Sequence, residues 1–400
     1  MAHLNGLRQQ LIWAEAALAN SSIKSHIRTA AQSGLANLFN RRRDEIDGTL
    51  KLVSDNGASE LVWDQLARHS WRCSQLFNEC LALLGSALIR SDSSNKNDIC
   101  VLADALLNEL DKNIPKMSWT GVTLLAEVTF FTETTGLIRL PFPDMGIWNL
   151  PIAVHELGHF VGVRIVDETG HHPFEAFLAE QQQRNLTKPL GDQVLPAQLE
   201  NHLKELFSDL FAVFSIGPAY ACSAILLRFS PADASATEDS LTHPSHSKRV
   251  HFILEALERL SKIEKGHPYE VTKTMVKNLW EANFVNAGHR ETLDQQDVEF
   301  LDYVLSQLWK IVKDFLWSAR YLGWDRAVDL RNRMPTDDSA LRLQGDETIA
   351  DVLNAFWIWR LSLRTETAQI VQRANSRAFE LCHEIIRRPR SQVGISEHRI

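Results

Sequence analysis

Apolar residues recur three and four positions apart along most of this chain, which is the pattern of amphipathic α-helices. In the N-terminal quarter the pattern covers residues 7–18, 61–88 and 100–110. It returns near the C-terminus in two runs that carry tryptophans, residues 298–317 and 349–363. Tryptophans at helical spacing are typical of a buried core. The sequence therefore predicts a mainly α-helical protein.

A different composition marks residues 119–140, which read WTGVTLLAEVTFFTETTGLIRL and are rich in Thr, Val and Phe. Such residues favour β-strands, and Thr134-Thr135-Gly136 would separate two of them. A helical pattern resumes at residues 147–163. We therefore predict a small sheet beside helices, in an α+β core that helical regions flank.

The chain is long enough for two or three domains, because 400 residues exceed the size at which a single hydrophobic core stops growing. The pattern predicts a helical N-terminal domain over residues 1–115, the α+β core over 116–265 and a helical C-terminal domain over 266–400. Within the core, residues 167–194 are polar and contain Gly and Pro, which predicts a loop or lid.

Residues 210–227 carry no charge over 18 positions, which is close to the minimum length of a membrane-spanning helix. Gly217-Pro218 would break a helix in the middle of this stretch, and Glu205 and Asp209 directly precede it. We therefore predict two buried helical pieces and no membrane partner.

Charge and cysteine usage narrow the class of protein. The 42 Lys and Arg residues against 50 Asp and Glu residues give a formal charge of −8, which disfavours a nucleic-acid-binding surface. The five cysteines form no CxxC pair, so neither a disulfide framework nor a thiolate zinc site is indicated. The N-terminal residues lack the pattern of a secretory signal. These features together predict a cytoplasmic protein.

The run HELGH at residues 155–159 combines two imidazoles and a carboxylate. His155 and His159 are four apart, so on a helix both project from one face and can bind one metal ion, with Glu156 beside them. This spacing is typical of a zinc site that activates water, with Glu156 as the general base. Apolar residues on both sides predict that the triplet is buried, where polar groups need partners.

A catalytic zinc takes three protein ligands, so a third ligand is expected after the two histidines. The candidates are Asp167, His171, His172 and Glu205. Glu205 is favoured, because LKELFSDLFAV places it four residues before Asp209 on one face of an apolar helix. One carboxylate would bind zinc while the other accepts the distal N–H of a histidine ligand. The alternative is an ordinary helix with two exposed acids.

A further polar cluster, HPSHSKR, occupies residues 243–249. Its first and last members, His243 and Arg249, are suited to donate hydrogen bonds to the oxyanion of a tetrahedral intermediate. Alternatively, the segment is the capped start of a helix, with Ser245 or Ser247 as the cap and Lys248 and Arg249 exposed. The local sequence leaves both interpretations open.

Taken together, HELGH, ELFSD and HPSHSKR resemble the motifs of gluzincin metallopeptidases, most closely the HtpX-like and CAAX-protease peptidases. The resemblance covers roughly residues 147–250. It implies one zinc ion per chain, a general base, a supporting carboxylate and a pair that stabilises the transition state. By this resemblance His155, His159 and Glu205 are the zinc ligands and Glu156 is the general base. Asp209 is the supporting carboxylate, and His243 with Arg249 is the stabilising pair. The spanning helices of those peptidases have no counterpart here, so their membrane substrates are not implied.

The same resemblance implies a zincin-like core and an endopeptidase that acts on a protein or peptide substrate. Zincins present an edge strand that pairs with an extended peptide, which would give residues 119–140 a role. Two alternatives remain open: a regulatory or scaffold protein with a structural or inactive zincin core, and a zinc hydrolase of a non-peptide amide. A regulatory partner that acts through a lid at residues 167–194 is not identified by the sequence.

Overall fold

The computed structural model describes residues 2–20, 29–56, 60–91, 99–115, 117, 119, 121–126, 130–132, 137–141, 146–187, 194–289, 293–334, 341–363 and 366–388. The chain divides into two compact units. The first is Met1–Met145 with Ile152–Gln183, and the second is Gly146–Pro151 with Arg184–Ile400. Most described residues are helical, as the sequence predicts. The three-domain division stays a prediction.

Three long helices open the first unit: α1 (Ala2–Asn20), α2 (Thr29–Asn56) and α3 (Glu60–Ser91). They pack against one another. Their shared core consists of buried side chains three, four or seven positions apart within each helix, so that each helix buries one face. These side chains are Leu4, Leu11, Phe39, Ile46, Cys73, Leu76 and Cys80.

A three-stranded sheet follows helix α4 (Ile99–Asp111). Its strands are β1 (Val122–Ala126), β2 (Phe130–Thr132) and β3 (Leu137–Pro141), in the order β1-β3-β2. Strand β3 is central, with β1 parallel and β2 antiparallel to it. Thr123 ties β1 to α4, because its N–H donates to Asp104 Oδ1 at 2.9 Å.

The sheet agrees with the sequence in part. Strands β2 and β3 flank residues 134–136 and pair antiparallel, as expected of two strands around a turn, although the turn itself lies outside the described residues. The prediction of two strands is wrong in number, because β1 adds a third. Since β1 runs parallel to β3 and β2 lies between them in the chain, no local turn signal marks their pairing.

Two helices, α5 (Ile152–Gly162) and α6 (Pro173–Leu186), follow the sheet in the chain. Helix α6 corrects the loop predicted for residues 167–194. Phe174 and Phe177 on α6 are buried three positions apart, but the glutamine-rich remainder of the helix hides this narrow apolar stripe in the sequence. The part of the predicted lid at residues 188–193 lies outside the described residues.

The second unit is built of helices around α7 (Pro196–Ile216), which packs against α8 (Pro218–Ser223), α9 (His246–Ile263) and α11 (Gln295–Phe315). The remaining helices are α10 (Glu270–Asn286), α12 (Trp324–Asn332), α13 (Ile349–Leu361) and α14 (Ala368–Arg387). Every residue of α7 from 205 to 216 is buried. A helix buried on all sides lies in the interior, so α7 forms the centre of this unit.

The two predicted helical runs near the C-terminus, both of which carry tryptophans, correspond to α11 and α13 in the structure. Trp357 on α13 is buried and packs edge to face against Trp148, as expected of a core residue. Trp317 is exposed, because it follows the end of α11 in a short 3-10 turn and leaves the helical period. The Arg320 guanidinium covers its ring at 3.9 Å.

The uncharged stretch at residues 210–227 forms two helical pieces, as predicted. Helix α7 ends at Ile216 and α8 begins at Pro218, with Gly217 between them at φ +67° and ψ −146°. That backbone conformation is essentially limited to glycine. In the part of the chain that the structure describes, no helix has the length and apolar character needed to cross a membrane.

The side chain of Asn354 on α13 supports this break. Its amide donates to the carbonyl of Ile216 at 2.8 Å, and the N–H of Ala219 donates to its Oδ1 at 2.8 Å. Helix ends leave such backbone groups without helical partners, and burying them unpaired costs free energy. Asn354 therefore satisfies both sides of the break with one buried amide.

We expect Gly217→Ala to lower the free energy of unfolding by about 2–3 kcal/mol. An added Cβ would lie 2.7 Å from Cδ1 of Tyr321, at a backbone angle that alanine rarely adopts. Gly266→Ala is the matched control, since Gly266 has φ +84° with no atom within 4 Å of the added Cβ. It measures the cost of a positive φ without a clash, about 1 kcal/mol. Equal losses in urea unfolding would contradict a clash with Tyr321.

Candidate metal centre

Helix α5 carries the HELGH run inside the first unit, packed against α4 and strands β2 and β3. Ten of its eleven residues are buried. Their apolar character on all sides explains why the sequence folds as an interior helix at this place. The predicted burial holds for His155 and Glu156, while His159 is partly exposed.

His155 and His159 lie one turn apart on the same face of α5. Their ring centroids are 5.0 Å apart and their planes are nearly perpendicular, at 88°. Two imidazoles in this arrangement can each direct a ring nitrogen to a common point. Because His159 is the more exposed of the two, solvent reaches the pair from its side.

Glu156 is a buried carboxylate, with 3% of the residue exposed. Among the residues that the structure describes, its side chain accepts no hydrogen bond and forms no ion pair. Native proteins rarely bury a polar group without a partner, because its lost hydration is not replaced. A buried carboxylate without a partner, beside two histidines, is suited to accept a proton from a molecule bound at the site.

The acids of α7 are buried, so the interpretation of an ordinary helix with two exposed acids is wrong. Glu205 is 7% exposed and Asp209 has no exposed surface. Both stand in a segment whose other members are mostly large apolar residues, including Leu206, Phe207 and Leu210. Charges at such positions need compensating partners.

Arg249 on α9 is the main partner of these two acids. Its Nε and Nη2 donate to the two oxygens of Asp209 at 2.8 and 2.7 Å, which is a bidentate contact. Its Nη1 lies 3.2 Å from Oε2 of Glu205. The hydroxyl of Tyr220 on α8 donates a hydrogen bond to the same Asp209 carboxylate. One guanidinium thus contacts both carboxylates.

The electrostatics of this cluster keep its donors protonated. Burial alone would lower the pKa of Arg249, but the charges of Asp209 and then Glu205 raise it well above the usual arginine value. Burial, followed by the charge of Asp209, likewise raises the pKa of Tyr220 well above the usual tyrosine value. The Tyr220 hydroxyl therefore stays a hydrogen-bond donor to Asp209 at ordinary pH.

His243 reaches Glu205 from the loop before α9. Its Nε2 lies 3.4 Å from Oε1 of Glu205, and its Nδ1 is 2.8 Å from the hydroxyl of Thr242. About half of its side chain is exposed. His243 and Arg249 therefore approach the two oxygens of one carboxylate, with the His243 ring on the solvent side.

The structure tests the interpretation of residues 243–249 as a helix start, while the oxyanion role of His243 and Arg249 stays a prediction. Helix α9 begins at His246, and its cap is Ser245, whose side chain accepts from the N–H of Lys248. The prediction of a capped helix start is confirmed. The accompanying expectation that Arg249 is exposed is wrong, because its partners lie on α7, about forty residues earlier in the chain.

The other candidate third ligands belong to a local loop. Oδ1 of Asp167 accepts from the backbone N–H groups of Thr169 and His171, at 2.8 and 2.9 Å. The His171 side chain is 84% exposed. Short-range contacts of this kind are typical of Asp in turns, so the loop itself explains the position of Asp167.

One group of three metal-ligand side chains stands out among the described residues. One ligand atom from each of His155, His159 and Glu205 lies within 4.8 Å of the others. Two imidazoles and one carboxylate are a donor set that catalytic zinc uses, with a fourth position left for water or substrate.

Sequence reasoning missed Tyr220. It follows the helix break at Gly217, so the helical period that relates Glu205 to Asp209 does not extend to it. The only local signal is an isolated tyrosine in an otherwise uncharged, apolar stretch, where a phenol hydroxyl needs a hydrogen-bond partner.

We expect Arg249→Ala to lower the free energy of unfolding by about 3–5 kcal/mol, because it leaves two buried carboxylates without a counter-charge. Lys248→Ala is the matched control on the same helix. Lys248 is also ion-paired, with Asp239 and Asp297, but these pairs are partly exposed, so its loss should cost about 1 kcal/mol or less. Urea unfolding with a chelator present makes the comparison, and similar losses would contradict the role given to Arg249.

A scan against protein-family models finds no match for this chain, and searches of curated proteins and of solved structures find no similar protein. A function for the chain therefore has to be inferred from its own residues and their geometry.

Proposed function

We propose that this protein is a zinc-dependent metallopeptidase, an endopeptidase of the gluzincin type with a zincin-like core. The observation that carries the proposal is the grouping of His155, His159 and Glu205, with ligand atoms within 4.8 Å of one another. These are the residues at which the HELGH and ELFSD motifs place the ligands of such enzymes. The buried Glu156 next to His155 supplies the carboxylate that the chemistry needs.

The three ligands would hold one zinc ion per chain. When bound, zinc supplies a Lewis acid that polarises a carbonyl group and makes water more acidic. Glu156 acts as the general base, because it is a carboxylate without a hydrogen-bonding partner in the described structure and lies beside the ligand histidines. Glu156 would take this proton from the water whose oxygen bonds to the peptide carbonyl carbon, and would give it to the amine nitrogen as the C–N bond breaks.

Arg249 and Asp209 act as positioning residues in this proposal. The bidentate contact to Asp209 anchors the guanidinium, and its remaining nitrogen faces Oε2 of Glu205. That contact holds the carboxylate in one orientation and leaves its other oxygen toward His243. A fixed ligand carboxylate pays less entropy on metal binding.

His243 is then the residue best suited to donate to the oxyanion of a tetrahedral intermediate. Its ring is half-exposed, unlike Arg249, and can meet a substrate that enters from solvent. It also approaches Glu205 directly, which places it near the proposed ligand set. Donors aimed at developing negative charge are among the largest contributions to catalysis.

The sheet favours a peptide as the substrate. Strands β1 and β2 are the edges of the sheet among the described residues, and α5 packs against β2 and β3. An extended peptide can add to such an edge through main-chain hydrogen bonds, which do not depend on the identity of its side chains. We propose that β2 is the edge that receives it, because this strand contacts the helix that carries Glu156.

A scaffold function is the second candidate, and exposed tryptophans on the first helices favour it. Trp13 on α1 and Trp63 and Trp71 on α3 each expose more than half of their surface. Exposed aromatic side chains are enriched where proteins bind one another. A partner at these helices is compatible with a peptidase elsewhere in the chain, and it is the sole function if the metal chemistry is absent.

Elemental analysis of the purified protein tests the ligand set. We expect close to one zinc per chain in the wild type, and loss of zinc in His159→Ala and in Glu205→Ala, because two protein ligands hold zinc much more weakly than three. His171→Ala is the control, since this exposed histidine was a rival candidate ligand. Zinc retained in Glu205→Ala but lost in His171→Ala would overturn the ligand assignment. Absence of zinc from the wild-type protein, even after reconstitution, would favour the scaffold function.

Glu156→Gln tests the chemistry separately from the metal. The variant keeps the size of the side chain but cannot accept a proton, so we expect bound zinc to remain while cleavage of a casein-derived peptide mixture falls by about 10²–10⁴-fold. Mass spectrometry of the products measures the cleavage. Cleavage at the wild-type rate would show that Glu156 is not the base.

A further inference from the structure

A cleft of about 240 Å³ opens in the second unit, and two of the residues that line it contact the proposed ligand Glu205. It lies between the start of α9 and a π-helical turn, Ala224–Arg228, that follows α8. His243 and Arg249, which both approach Glu205, contribute to its lining. A group bound in this cleft would therefore lie next to His243, the proposed oxyanion donor, and Arg249, which positions Glu205.

Arg228 is an unusual member of the lining. It is half-buried, and no hydrogen bond or ion pair to its side chain is found among the described residues. The other arginine in the lining, Arg249, is neutralised by Asp209 and Glu205. Burying part of a guanidinium without an anion costs free energy, because no ion pair replaces the lost hydration. Arg228 thus leaves one unpaired positive charge in the cleft.

The π-helical turn positions this charge. The N–H of Phe229 donates to the carbonyl of Ala224 at 2.9 Å, a bond that spans five residues and ends the turn directly after Arg228. Turns of this kind are rare and frequently occur at functional sites. Phe229 continues into the cleft and stacks on His246, with ring centroids 4.9 Å apart. The Arg249 guanidinium lies over the same ring at 4.9 Å, so the lining contains a packed aromatic pair, Phe229 and His246, beside its cation.

The remaining charges leave Arg228 as the cation of this cleft. Burial lowers the pKa of His246, so its ring is neutral at ordinary pH. Glu238 also lines the cleft, but it is exposed to solvent and is not ion-paired with Arg228. A screened acid at the surface weakens the attraction for an anion without cancelling that of a half-buried guanidinium.

We propose that this cleft, which we call the Arg228 cleft, binds an acidic side chain of the substrate, with the carboxylate paired to Arg228 and the methylene groups against the Phe229–His246 pair. The proposal rests on the proposed peptidase function and makes it selective for peptides that carry Glu or Asp near the cleaved bond. An arginine fork matches a carboxylate better than it matches a neutral amide, which fits an acid rather than Gln or Asn.

Binding to the zinc-loaded Glu156→Gln variant tests the proposal without cleavage. The probes are two fluorescein-labelled decapeptide mixtures of Ala, Leu, Phe, Ser and Val, identical except for one central Glu in the first and one central Gln in the second. We expect the Glu mixture to bind about tenfold more tightly by fluorescence anisotropy, as a charge-assisted hydrogen bond gives. Equal binding of the two mixtures would overturn the proposal.

Variants in the same background locate the preference. Arg228→Gln should remove it, Arg228→Lys should keep part of it because charge remains without the fork, and Glu238→Gln should increase it. Arg373→Gln is the control, because Arg373 is an exposed arginine that does not line the cleft. A Glu preference that survives in Arg228→Gln, with a thermal midpoint like that of the control, would show that another residue reads the acid.

The two proposals fail separately in this design. A Glu preference that depends on Arg228 supports the cleft even when the wild-type protein cleaves no peptide, and the peptidase function then fails alone. Conversely, wild-type cleavage at sites without acidic residues, together with equal binding of both mixtures, retains the peptidase and removes the Arg228 cleft as its specificity site.

Discussion

A fully buried carboxylate, that of Asp209, imposes the strongest constraint on the second unit. An isolated charge in such a place costs several kcal/mol, so the fold has to bring compensating groups to it. It does so from two directions, with the bidentate guanidinium of Arg249 on α9 and the hydroxyl of Tyr220 on α8. The relative positions of three helices thus follow from one ion.

The same constraint orders the candidate site. Glu205 lies one helical turn before Asp209, so the guanidinium that neutralises one carboxylate also meets the other. The proposed metal ligand is therefore oriented by an interaction whose main free-energy contribution is structural. Stability and function are coupled here through Arg249, and the two cannot be altered independently at that position.

How far the sequence predicts this protein depends on whether a feature is local. The HELGH helix, the ELFSD helix, the break at Gly217 and the cap at Ser245 each follow from residues within one or two turns, and each is found in the structure. The burial of Arg249 was not predictable, because its partners stand forty residues away in the chain. Strand β1 was missed as a separate element for the same reason, since its partner is not its neighbour in sequence.

The candidate site shows the same division. The identity of the acids and histidines follows from spacing, which a helix converts directly into shared faces. Spacing contains no information about which charges remain uncompensated. Arg228 looks ordinary in the sequence, and only the described contacts distinguish it from the paired arginines around it. A helix of fourteen residues, α6, was also hidden, because its apolar stripe is too narrow to outweigh its polar composition.

The backbone conformation of Gly217 has a consequence for how the site can evolve. In an uninterrupted helix, residues 209 and 220 would lie about 16 Å apart along the axis, beyond the reach of a tyrosine side chain. The turn at Gly217 brings the Tyr220 hydroxyl back to Asp209 instead. Selection that preserves the carboxylate cluster therefore acts on a residue that has no side chain. An evolutionary record of the site would include this position, although it contributes no chemical group.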